Sequence, residues 1–147
     1  MKIANGTLIM AVDGSKMLIL RNEGDVRKPV LKAVAHERVH NLQTAEQGSD
    51  RPGRSFSSSD GRRSGLGDTD WHTQAEGRFV IEAAQTLDTV QKDLAAEVIL
   101  VAAPTVMGTM RKHLSERVKD HILAQIDRDV VNQPSDEIAK LVSAYEP

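Results

Sequence analysis

Between Gly48 and Asp70 the chain reads GSDRPGRSFSSSDGRRSGLGDTD, where only Phe56 and Leu66 are large and apolar. A core forms by taking apolar surface out of water, so this stretch cannot supply a packed layer. It divides the packing signals into two blocks. It holds six serines, four arginines, four aspartates and five of the chain's ten glycines. Connections in compact domains usually run about 4–6 residues, and one this long is functional or disordered. The sequence therefore predicts a flexible loop over residues 48–70 within a single α/β domain spanning 1–147.

The block before the loop has the signature of strands. Thr7–Val12 and Ser15–Arg21 are β-branched and aliphatic runs separated by Asp13-Gly14, a strong hairpin signal. Asn22–Asp25 supplies the next turn, and Val30–Ala35 carries a third strand. Pro29 cannot donate to a ladder, which assigns that strand to a sheet edge.

After the loop the period changes. Phe79, Ala83, Leu87, Val90 and Leu94 recur at helical spacing. Thr73 and Glu76 have capping-box spacing, and Asp70 can cap one turn earlier. Glu97–Ala102 is a continuous apolar run, as in a buried parallel strand. Pro104 opens a helix with Val106, Met107, Met110 and Leu114 on one face. His121–Val131 reads as a strand with a charged end, and Ser135-Asp136-Glu137 caps a last helix. The order β-β-β-α-β-α-β-α, with right-handed crossovers, predicts a mixed five-stranded sheet of order 3-2-1-4-5. Helices would cover both faces, the ribonuclease H-like arrangement.

No cysteine is present, which excludes disulfides, thiolate zinc sites and cysteine nucleophiles. A net charge of −2 offers no global attraction to nucleic acid or anionic lipid, so such contacts require a local patch. Four aromatic residues, Phe56, Trp71, Phe79 and Tyr145, are too few for a face of stacked RNA bases. Leu8–Val12 is too short for a signal-peptide core, and no run nears the roughly 18 apolar residues of a spanning helix. A cytoplasmic protein without membrane insertion is expected.

Several residues have chemistry to offer. Asp13 ends the first strand, where ribonuclease H-like nucleases hold a metal carboxylate. Asp-Gly is also what a tight turn requires, and no converging partner is evident at the end of Glu97–Ala102. Asp68, Asp70, His72 and Glu76 gather at a predicted helix start, where acidic groups cap and offset the dipole. No metal and no cofactor is therefore assigned. Arg51, Arg54, Arg62 and Arg63 could meet phosphates, although four aspartates match them in the same stretch. Trp71 is either a partner anchor or core. Arg111, Lys112 and His113 suit the last turn of their helix whatever the function.

The segments VDGSKMLIL, WHTQAEGRFVIEAAQTL, ILVAAPTVMGTMRKHL and IDRDVVNQPSDEIAKLV together resemble a bacterial family described as proteins required for attachment to host cells. That family is similar in fold to the catalytic middle domain of archaeal and eukaryotic class-I translation release factors. In those factors a Gly-Gly-Gln tip precedes the first long helix, with Arg-Phe following so that Phe lies five residues after Gln. The Gln helps water attack the peptidyl-tRNA ester. Here Gln74 precedes Phe79 by five, Arg78 stands before Phe79, and His72 and Thr73 replace the glycines. Glycines admit backbone conformations closed to other residues, so this departure bears on hydrolysis.

The resemblance implies a release-factor-like domain that binds tRNA or the ribosome through residues 48–78. Gln74 and His72 are its catalytic candidates; Trp71, Arg78, Arg62, Arg63 and Asp13 are its binding candidates. The alternative is a non-enzymatic module that engages a protein partner through the loop and Trp71. The oligomeric state is not legible from the sequence.

Overall fold

The computed structural model describes residues 1–38 and 60–146, with residues 60–76 described by their backbone alone. The expected loop of residues 48–70 is shortened from its far end: helix α1 spans Asp60–Leu94 and takes in residues 60–70. Residues 48–59 of that expectation lie outside the described residues. Pro52 is the last proline before Pro104. Nothing in residues 60–70 therefore blocks extension of a helix already nucleated and packed downstream, and the glycines there cost only about 1 kcal/mol each.

Strands β1 (Leu8–Val12), β2 (Lys16–Asn22), β3 (Leu31–Arg38), β4 (Val98–Ala102) and β5 (Ile122–Asp127) form one sheet of spatial order β3-β2-β1-β4-β5. β1 pairs antiparallel with β2 and parallel with β4, and β4 pairs parallel with β5. This is the expected 3-2-1-4-5 order, with β3 at an edge and Pro29 just ahead of it. Three further helices follow: α2 (Pro104–His113), α3 (Glu116–Asp120) and α4 (Ser135–Ala144).

Alternation of side chains sorts the central strands onto two faces. Leu8, Met10 and Val12 with Val98 and Leu100 meet α1 and α2 through Phe79, Ala83, Leu87, Met107 and Met110. Ile9, Ala11, Ile99 and Val101 meet Ile138 and Val142 of α4 on the other face. Both faces of β1 and β4 are thus covered, which explains their unbroken apolar runs. Each fully buried aliphatic side chain contributes roughly 1.5–3 kcal/mol.

Register irregularities mark both edges. The β2–β3 ladder shifts between Ile19 and Leu20, leaving Val34 as the extra residue. The β4–β5 ladder shifts between Val98 and Ile99, leaving Leu123 extra. Both residues are exposed. Ile122 packs on the α1 face whereas Ala124 and Ile126 pack on the α4 face, as an inserted residue requires.

Several boundaries differ from expectation for local reasons. The β1–β2 connection is Asp13–Ser15, not a two-residue Asp-Gly turn, and Gly14 does not have positive φ. The Asp13 carboxylate makes the turn instead. The strand expected over His121–Val131 stops at Asp127, and Val130 and Val131 are buried against the α4 face beyond it. α3 was not anticipated; Ser115 caps it by accepting from the Val118 amide at 3.2 Å. Pro134, not Ser135, is the N-cap of α4, and its carbonyl accepts from the amides of Glu137 and Ile138. Thr73 and Asp70 fall inside α1 and not at its start.

Candidate functional site

Helix α1 carries most of the residues singled out by the sequence. Its described half buries Phe79, Val80, Ala83, Ala84, Leu87 and Gln91, while Arg78, Glu82 and Gln85 are exposed. At about 100° per residue, the upstream positions inherit this division. Trp71, Gln74 and Arg78 follow one another at spacings of three and four on the stripe opposite the core ridge. His72, Thr73 and Glu76 lie in register with Phe79, Val80 and Ala83. The side chains of Arg62, Arg63, Trp71, His72 and Gln74 lie outside the described residues, and these placements are those of the backbone.

The register bears on chemistry. His72 and Gln74 are two apart, and residues at that spacing on a helix do not face each other. The α1 backbone sets the two positions on different stripes. It does bring Gln74 and Arg78 to adjacent turns of one stripe.

Asp13 is committed to its turn. Its Oδ1 accepts from the amides of Ser15 at 2.7 Å and Lys16 at 2.6 Å, and from the Ser15 hydroxyl at 3.2 Å. The carboxylate thereby replaces the backbone geometry that a primed turn would demand of Gly14. Among the described residues, no group of three or more His, Asp or Glu side chains could hold a metal ion.

A polar cluster that the sequence reading missed sets the direction of α1. The Ser115 hydroxyl donates to Asp88 Oδ1 at 2.6 Å, and Arg117 Nη2 donates to the same oxygen at 2.8 Å and to the Asp88 carbonyl at 2.9 Å. Arg117 Nε donates to Gln91 Oε1 at 2.9 Å, and the buried Gln91 amide donates to the Ala96 carbonyl at 3.0 Å. The Ser115 hydroxyl, and then the Arg117 guanidinium, hold the Asp88 carboxyl below its ordinary value against the opposing cost of desolvation. With both ionic side chains more than a third exposed, the ion pair itself is worth little. Its contribution is geometric, since it ties the end of α1 to α3. The available signal was the pair Asp88 and Gln91 at i, i+3 on the border of the apolar stripe.

Residues 6–142 match the family model described as bacterial archaeo-eukaryotic release factor family 12. The comparison with curated proteins found no match. The release-factor part of the resemblance thus has support, and the host-attachment part has none. Among the described residues no helix is long and apolar enough to cross a membrane.

Proposed function

Because the chain belongs to bacterial archaeo-eukaryotic release factor family 12, we propose that it is a release-factor-like domain that binds tRNA or the ribosome through the region 48–78. The family match over residues 6–142 carries this reading. The outward stripe of α1 supports it, with Arg78 exposed at the described end and Gln74 one turn upstream.

The two side chains suit the task. A guanidinium forks onto phosphate oxygens through parallel donors, and a carboxamide both donates and accepts at a base edge or ribose. The reading is one of binding. Hydrolysis in the resembling factors depends on a Gln presented beside two glycines, whereas the two positions before Gln74 hold His72 and Thr73 within α1.

The test is co-sedimentation of the purified chain with ribosomes at low salt, with bound tRNA measured in parallel. Binding that weakens severalfold in Arg78→Gln and Gln74→Ala is expected, together with peptidyl-tRNA ester cleavage no faster than in buffer. A chain that pellets with neither ribosomes nor tRNA would overturn the reading. Cleavage abolished by Gln74→Ala would convert it from binding to catalysis.

A further inference from the structure

The tip of the β2–β3 hairpin and the edge strand that follows it carry an excess of positive charge. Residues 26–38 carry Arg27, Lys28, Lys32 and Arg38 against Glu37 alone, in a chain whose net charge is −2. All four basic residues are exposed. Screening confines electrostatics to about 8 Å at physiological salt, so the chain's overall negative charge does not cancel this strip.

The ladder makes the accumulation unfavourable in isolation. Arg21 stands directly opposite Lys32, and Lys16 directly opposite Arg38. Like charges paired across strands repel, where opposite charges would contribute roughly 0.2–1 kcal/mol. Arg21 Nε is buried without a hydrogen-bond partner. The Asp25 carboxylate is engaged by the hairpin itself, accepting from the amides of Arg27 at 2.9 Å and Lys28 at 2.7 Å. Lys16 donates to the Asn132 side chain, a neutral partner.

β3 runs parallel to β1, so Arg38 lies at the end of the sheet that holds the Asp13 turn, and its partner Lys16 is five residues from Lys32's partner Arg21, which sets the two pairs on opposite faces. α1 returns to the opposite end, where Leu94 precedes β4, so its upstream residues extend toward the Arg38 end.

We propose that the β2–β3 hairpin and the start of edge strand β3 form a second contact surface for an RNA phosphate backbone, with Arg27, Lys28 and Lys32 as its cations. This rests on the release-factor-like reading in taking the polyanion to be RNA. Bound phosphates offset the repulsive Arg21–Lys32 pair, which distinguishes this surface from a strip of lysines dispersed in solvent. The contact positions the nucleic acid without reading its sequence.

The experiment titrates fluorescent unfractionated tRNA with the full chain over a series of salt concentrations. Each lost single-strand phosphate contact lowers the slope of log K against log salt by about 0.7, so Arg27→Gln/Lys28→Gln/Lys32→Gln should lower it by about 2. At 0.1 M salt the corresponding loss of affinity is on the order of a hundredfold. The control Lys112→Gln/Lys119→Gln/Lys140→Gln removes the same charge from α2, α3 and α4 and should leave the slope nearly unchanged. Equal losses in both triples would reduce the effect to net charge and overturn the surface. Unchanged RNA binding with reduced solubility would overturn it too, because the charges would then only guard the edge against strand pairing. If Arg78→Gln weakens binding and the hairpin triple does not, this surface falls and the α1 reading stands. If the wild-type chain binds no RNA, both fall.

Discussion

Asn22 is the residue whose loss should cost most for its size. It ends β2, is fully buried, and satisfies its amide entirely within the fold. Oδ1 accepts from the amides of Gly24 at 2.8 Å and Val30 at 2.9 Å, closing the β2–β3 hairpin. Nδ2 donates to the Ile3 carbonyl at 2.8 Å, docking the N-terminal segment. Asn22→Ala leaves these three backbone groups without partners. Each costs about 1–3 kcal/mol if it stays dry. The hairpin end is only partly buried, so water reaches some of them, and about 3–4 kcal/mol is expected in total. For a chain of 147 residues the unfolding entropy is about 0.3 kcal/mol/K, so the midpoint should fall by roughly 10–13 °C. Circular dichroism melts give the shift, and urea titration should show a lower midpoint at unchanged slope. A loss below about 1 kcal/mol would refute the claim that this amide holds the hairpin and the N-terminal segment together.

Other perturbations follow from single features. The Asp88 carboxyl sits below its ordinary 3.8 in the folded chain, so its stabilisation is complete above that value and is lost as pH falls through the lower folded value. Ser115→Ala, measured by urea unfolding between neutral and acid pH, should destabilise most above about pH 4, and the gap from wild type should narrow below it to the part owed to the lost α3 cap; a gap that widens in acid refutes the linkage. Ala95 ends α1 with φ 48, a left-handed conformation that strains residues bearing a Cβ. Ala95→Gly should therefore raise stability by about 0.5–1 kcal/mol, and a loss would mean its methyl group packs. A Cβ on Gly24 would meet the Lys28 carbonyl oxygen at 2.2 Å, whereas one on Gly77 or Gly108 meets nothing within 4 Å. Gly24→Ala should lower the melting midpoint severely, while Gly77→Ala and Gly108→Ala should each add up to about 1 kcal/mol; equal effects at the three positions would contradict the geometry.

The strand order was legible because it follows from few rules. Asp13-Gly14 marked the β1–β2 hairpin, the unbroken apolar run of Glu97–Ala102 marked β4 as a buried strand, and Pro29 marked the edge. The start of α1 was not legible. Glycine, serine and charged residues over 60–70 give no apolar period, and the helix is carried there by propagation from a packed half rather than by its own signal. Gln74 was placed by sequence at the mouth of a helix, and the backbone places it fourteen residues inside one. The Asp13 turn was anticipated with the wrong residue doing the work, because a carboxylate can close a turn that glycine would otherwise shape.

The order of strands, the apolar stripes of the helices and the spacing of Gln74, Arg78 and Phe79 were determined by the sequence alone, since each depends on local pattern and chain connectivity. What only the tertiary structure decided depends on residues far apart in the chain. It set Arg21 against Lys32 and Lys16 against Arg38, joined Ser115 and Arg117 to Asp88, and closed Asn22 around two turns. Those juxtapositions come from ladder register and helix packing, in which a shift of one residue would turn every side chain to the other face.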